Sequence, residues 1–143
     1  MPHRVLLVDD DRDLLPSMAA LLEELSDFRV ITAENGAQGL EKVYSDHPDC
    51  IIIDVRMPQL NGYQLVQSLR GDPETEHIPL IILSAMVQER DQWMGLAVGV
   101  DYYLLKPVDG FELIATIQRA IEHTESDRLA RLQQLAEDAP PTP

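Results

Sequence analysis

This 143-residue sequence is short of cysteine and lysine, and it has no long apolar run. Its one thiol, Cys50, excludes an intramolecular disulfide framework and a cysteine-based zinc site. No apolar stretch reaches the roughly 18 residues that a membrane helix needs. The start, Met1-Pro2-His3-Arg4, lacks the apolar core and cleavage site of a secretory signal. These absences together predict a reduced, cytoplasmic setting. Basic residues are also scarce: 11 Lys and Arg stand against 25 Asp and Glu, a net charge of -14. Such a surface repels nucleic acid, where affinity comes largely from neutralised phosphates, and it repels anionic membranes. Neither is expected as a partner. Acidity by itself mostly confers solubility. The two lysines are Lys42 and Lys106, so the placing of Lys106 matters.

At 45% apolar and 25% charged residues, the chain reads as globular. Its length suits one domain that needs no covalent staple. Arg4-Val5-Leu6-Leu7-Val8 is nearly all apolar and stops at Asp9, Asp10 and Asp11. A strand buried on both faces of a parallel sheet has this form. Leu14, Leu15, Met18, Leu21, Leu22 and Leu25 then recur at helical spacing. Asp11 or Asp13 is placed to cap that helix, and Pro16 fits its first turn. Phe28–Ala33 reads as a second strand. A second helix follows, carrying Ala37, Leu40, Val43 and Tyr44. Cys50-Ile51-Ile52-Ile53 is a third strand ending at Asp54. Met57-Pro58 and Asn61-Gly62 predict a loop, and Tyr63, Leu65, Val66 and Leu69 a third helix. Pro79–Leu83 runs into Ser84 as a fourth strand. A helix is expected around Glu89–Val98, a fifth strand over Tyr102–Leu105, and a last helix from about Asp109. Strands alternating with helices predict an α/β fold with a parallel sheet.

The reactive side chains gather at one end of this pattern. Strand one delivers Asp9 and Asp10, strand three Asp54, strand four Ser84 and strand five Lys106. Open α/β sheets bind ligands beyond the carboxyl ends of their strands. Three carboxylates in one pocket repel each other's charge. A hard divalent cation, Mg²⁺ or Mn²⁺, resolves that conflict, because the pocket offers oxygen ligands and no thiol or imidazole. Carboxylates, one lysine and one hydroxyl suit phosphoryl transfer, and a carboxylate can itself be the nucleophile.

Val8-Asp9-Asp10, Asp54-Val55-Arg56-Met57-Pro58, Leu83-Ser84-Ala85 and Tyr103-Leu104-Leu105-Lys106-Pro107 stand in that order. With these motifs the sequence resembles the receiver domain of two-component response regulators over about residues 4–122. The resemblance implies a flavodoxin-like (βα)5 sandwich with sheet order 2-1-3-4-5. It implies Asp54 as phosphoacceptor. It implies Mg²⁺ (or Mn²⁺) held by Asp9, Asp10, Asp54 and the backbone carbonyl of Arg56. Ser84 and Lys106 would meet the phosphoryl group, Tyr103 would be the switch aromatic, and the Lys106–Pro107 peptide would be cis. The donor would be a histidine kinase or a phosphotransfer protein. The face made by the expected fourth helix, the fifth strand and the last helix would change on phosphorylation. The protein would catalyse its own phosphotransfer and dephosphorylation without being a conventional enzyme.

Two other readings stay open on the residues. One is a small Mg²⁺-dependent aspartyl-phosphate phosphatase or phosphotransferase. Haloacid-dehalogenase-type enzymes place a second Asp two residues after the nucleophile, and here that residue is Arg56. The other is an interaction module that keeps the fold without being phosphorylated. Trp93 and Cys50 read as packing residues. His3, His47, His77 and His123 show no ligand spacing. Arg56 and Met86 flank the pocket, where such positions tune phosphoryl lifetime in the family.

The receiver-like part is expected over residues 1–123, with a helical extension and Pro-rich end over 124–143. No separate output domain fits after Lys106, so the protein works by contact or the chain is a piece of something longer. Leu129, Leu132 and Leu135 continue the helical spacing beyond the domain. They offer a dimerisation or linker segment, while fraying or folding back remains the alternative. A homodimer through the face of the fourth helix, fifth strand and last helix is equally open.

Overall fold

The computed structural model describes residues 2–55, 60–84 and 99–138. The chain runs β1 (Arg4–Asp9), α1 (Leu14–Leu25), β2 (Arg29–Ala33), α2 (Gly36–Asp46), β3 (Cys50–Val55), α3 (Leu60–Arg70), β4 (Leu80–Ser84), β5 (Tyr102–Leu105) and α4 (Gly110–Asp138). The five strands form one parallel sheet in the order β2-β1-β3-β4-β5. The architecture is the expected flavodoxin-like sandwich. The helix expected around 89–98, with Trp93 and Met86, lies outside the described residues, as do Arg56 and Met57.

Strand alternation divides the core in two, because successive side chains leave opposite faces of a sheet. Leu6, Val8, Ile51, Ile53, Leu80 and Ile82 meet Val43 of α2 and Leu65, Val66 and Leu69 of α3. Val5, Leu7, Cys50, Ile52, Ile81 and Leu83 meet Leu15 and Leu22 of α1 and Leu113, Ile114, Ile117 and Ile121 of α4. Both faces are covered, which is why the three central strands read as unbroken apolar runs. Each fully buried Leu or Ile contributes roughly 1.5–3 kcal/mol.

The helix ends follow local chemistry. Asp11 caps α1: its Oδ1 accepts from the backbone N–H groups of Asp13 at 3.0 Å and Leu14 at 3.2 Å. Asn35 Oδ1 accepts from Gln38 N at 2.8 Å and starts α2. His47 ends α2 in the left-handed region at φ 49°.

One sequence expectation is corrected. Asn61-Gly62 does not mark a loop but lies within the first turn of α3, where no complete intrahelical bonding is yet required. Leu14 and Leu21 belong to the α1 stripe but remain exposed, because only the Leu15–Leu22 line faces the sheet. Tyr44 is exposed too, and its hydroxyl donates to Asp72 beyond α3. Cys50 is fully buried, as a small core residue, and burial pushes its thiol pKa well up. No helix among the described residues is long and apolar enough to cross a membrane.

Candidate functional site

The sheet register brings the site together. Asp9 and Asp54 are partners on adjacent strands, at the carboxyl edge. Each follows an alternation (Val5, Leu7, Asp9 and Cys50, Ile52, Asp54) that puts it on the α1–α4 face. Ser84 ends β4, paired in register with Val55 on one side and Leu105 on the other. Lys106 follows β5 directly, and its peptide to Pro107 is cis.

Asp9 and Asp54 are buried, at 2% and 3% exposure, although burying a carboxylate is costly unless it is paired. Lys106 Nζ forms an ion pair with Asp54 Oδ1. Asp9 Oδ1 accepts from Asp11 N at 2.9 Å. Asp9 Oδ2 and Asp54 Oδ2 have no hydrogen-bond donor among the described residues, and Asp54 Oδ1 is met by the lysine alone. The Asp9 carboxyl is pushed up to about 7, first by burial and then by the Asp54 carboxylate, with Lys106 opposing and Asp10 adding to the rise.

Oxygen atoms buried without donors beside a second carboxylate fit a hard divalent cation. Asp10, in the turn just after β1, is exposed. Among the described residues no three Asp, Glu, His or Cys side chains close on one point, so the structure gathers two carboxylates and a lysine, with Asp10 at their rim. Arg56, whose carbonyl the sequence reading assigns to the cation, lies outside the described residues.

Tyr102 and Tyr103 leave opposite faces of β5. Tyr102 packs with the α1–α4 cluster and Tyr103 with the α2–α3 cluster. The Tyr103 hydroxyl is buried and has no hydrogen-bond partner among the described residues, and burial raises its pKa. The histidines lie away from the pocket. His3 sits 3.5 Å from Asp49 and His123 3.5 Å from Asp127.

Two features escaped sequence reading. One is Arg70, whose guanidinium joins α3 to the starts of β4 and β5. An arginine placed directly after the apolar positions Leu65, Val66 and Leu69 was the available signal. The other is a groove between the end of α1 and α4, lined by Glu24, Phe28, Ile121 and Glu125. It depends on helix packing and left no motif.

With this geometry in hand, comparison with known proteins is specific. A family profile described as "Response regulator receiver domain" matches residues 5–118. Protein PilH of Pseudomonas aeruginosa is 38% identical over 118 residues, covering 82% of this chain and 97% of PilH. Transcriptional regulatory protein CpxR of Escherichia coli is 38% identical over 122 residues, covering 85% of this chain and 50% of CpxR. The crystal structure of chemotaxis response regulator CheY4 of Vibrio cholerae superposes with a TM-score of 0.72 at 29% identity, covering 84% of this chain and 99% of that one. The chain thus spans nearly all of PilH, half of CpxR, and 19% of Protein RcaC of Microchaete diplosiphon. Its fold, the placing of its carboxylates and lysine, and these matches agree: the chain belongs to the receiver domain family of two-component response regulators.

Proposed function

We propose that this domain accepts a phosphoryl group on Asp54 from the phosphohistidine of a histidine kinase or phosphotransfer protein, and passes the change to its own surface. The observation that carries this reading is the buried Asp54 carboxylate, paired with Lys106 and set beside Asp9 at the carboxyl edge of the sheet. An Asp54 oxygen attacks phosphorus, the P–N bond to the donor imidazole breaks, and the imidazole nitrogen leaves with the electron pair and takes up a proton. Asp9, Asp10, Asp54 and the Arg56 carbonyl would hold Mg²⁺ (or Mn²⁺). When bound, the cation neutralises charge on the transferring group. Lys106 supplies the fixed ammonium that pairs with the phosphoryl oxygens. Ser84 is the switch hydroxyl at the end of β4, and Tyr103 the aromatic whose setting follows it. Phosphorylation adds about 1.5–2 negative charges, a local event that biases a two-state surface.

The domain acts as a phosphoprotein in the cytoplasm, with self-catalysed phosphotransfer and hydrolysis rather than turnover of a separate substrate. Residues 1–123 form the receiver unit and 124–143 an extension. Nucleic acid and membrane are not its partners, given the net charge of -14.

Intact-mass measurement after incubation with a small acyl phosphate and Mg²⁺ tests the reading. Wild type should gain one phosphoryl group, and chelator should abolish the gain. An unchanged gain in Asp54→Asn would overturn the assignment.

A further inference from the structure

Asp11 joins the start of α1 to the Asp9 carboxylate. Alternation along β1 puts Asp9 on the face of Val5 and Leu7, but it does not set how the carboxyl group is turned. That is set by a hydrogen bond: Asp9 Oδ1 accepts from the backbone N–H of Asp11 at 2.9 Å. The other oxygen, Oδ2, is buried with no hydrogen-bond donor among the described residues. One oxygen is thus engaged, and its neighbour is left to face a cation. The donor is held in turn at two further atoms. Asp11 Oδ1 accepts from Asp13 N at 3.0 Å and Leu14 N at 3.2 Å, and its backbone carbonyl accepts from Leu15 N at 3.1 Å. Leu15 is buried in the cluster that holds Val5 and Leu7. The turn from Asp9 to Leu15 is therefore tied onto a helix end anchored in the core. The neighbouring pair of Arg12 with Glu34, at 3.2 Å, is exposed and adds little to that hold.

We propose that Asp11 is a positioning residue for the divalent cation: by capping α1, its side chain fixes the N–H that turns the Asp9 carboxylate, and so raises affinity for Mg²⁺. The inference rests on the reading of Asp9 as a cation ligand. A ligand oriented before binding loses less freedom when it binds, and groups that orient metal ligands contribute about 10–100-fold to metal affinity. Asp11 acts through Asp9, since among the described residues no three Asp, Glu, His or Cys side chains close on one point. Its own charge sits at the N-terminus of α1, where the helix dipole and two N–H groups offset it. Without the side chain, Asp13 N and Leu14 N lose their acceptor, the turn loosens, and the Asp11 N–H no longer stays on Asp9.

Calorimetric titration of the full chain with Mg²⁺, alongside thermal melts in chelator, tests this. Asp11→Ala should bind Mg²⁺ about tenfold more weakly than wild type. Asp11→Asn removes the charge but keeps an oxygen for the same two N–H groups, and asparagine caps helices as well as aspartate does. It should therefore recover most of the lost affinity. Asn35→Ala removes the equivalent cap of α2, the bond from Gln38 N. It should lower the melting temperature as Asp11→Ala does, while leaving Mg²⁺ affinity as in wild type. Undiminished affinity in Asp11→Ala would overturn this inference alone. So would an Asp11→Asn protein as weak as Asp11→Ala, which would make charge the cause and not the cap. An equal loss in Asn35→Ala would also overturn it, by tracing the effect to lower stability. A wild-type chain that binds no Mg²⁺ would overturn the proposed function together with this inference.

Discussion

Arg70 and Asp101 meet across the bottom of the sheet, with Arg70 Nη2 3.0 Å from Asp101 Oδ2. That oxygen also accepts from Leu80 N at 2.8 Å, so one carboxylate joins the end of α3 to the start of β4. The guanidinium donates further to the carbonyls of Gly99 at 2.7 Å, Glu76 at 2.8 Å and Ile78 at 2.7 Å. Gly99 sits at φ 106°, and a Cβ there would lie 2.9 Å from Arg70 Nε. The turn into β5 is therefore built around the arginine, and β5 ends at the residue before Lys106.

Arg70→Ala should unfold at lower denaturant than wild type, with a loss of about 2–3 kcal/mol. The side chain is 18% exposed, and three carbonyls lose a charged donor. Arg70→Lys should recover little of this, because one ammonium cannot reproduce a planar fork. Urea titration of the three proteins checks it, and equal midpoints for wild type and Arg70→Ala would show the network to be idle.

The Tyr44–Asp72 bond predicts a pH effect. The Tyr44 hydroxyl, followed by the Glu74 backbone N–H, holds the Asp72 carboxyl below its ordinary 3.8. A depressed carboxyl adds stability above the unfolded pKa and loses it as pH falls through the folded one. The small advantage of wild type over Tyr44→Phe should be full at neutral pH and shrink below pH 3.8. Thermal melts at pH 7 and in strong acid measure it. An advantage that grows in acid would contradict the assignment.

The strands and the placing of Asp9, Asp54 and Lys106 at their ends were legible because strands buried on both faces announce themselves as apolar runs, whereas the sheet order was legible only through the resemblance to receiver domains. Each run stops where the chain reaches water or a site. The helix boundaries were less so. Asn61-Gly62 reads as a turn by residue type, yet α3 begins before it, since the first turn of a helix tolerates residues its interior does not. Leu21 carries the right spacing and stays exposed, because the stripe on α1 is wider than the surface it covers. The Arg70 hub links residues about 30 positions apart, through backbone carbonyls that have no signature in sequence.

Asp9→Asn should make the cation-free protein more stable, by about 1 kcal/mol. The amide oxygen can keep the bond from Asp11 N, now made by Asp9 Oδ1 at 2.9 Å. The amide nitrogen can then donate toward Asp54, whose Oδ2 has no donor among the described residues. Thermal melts in chelator should show the gain. Addition of Mg²⁺ should reverse the ranking, because the variant gives up a carboxylate ligand. A variant less stable than wild type in chelator would show that Asp9 is not strained by its neighbour.

Lys106→Ala separates the structural share of the lysine from its signalling share. Asp54 has 1% side-chain exposure and Lys106 25%, so the alanine protein leaves a buried carboxylate beside a second one, with no cation. Breaking such a pair by removing one partner is costly. The partial exposure of the lysine points to the lower range, about 2 kcal/mol, in chelator. A divalent cation that binds only the folded state stabilises it by mass action and replaces the missing charge. The gap in melting temperature between wild type and Lys106→Ala should therefore be wide in chelator and narrow in excess Mg²⁺. The alanine protein should still take up a phosphoryl group on Asp54, while the spectral change that accompanies uptake in wild type should be lost. A gap that Mg²⁺ leaves unchanged would mean that no cation reaches these carboxylates. A full spectral change without the lysine would place the switch elsewhere.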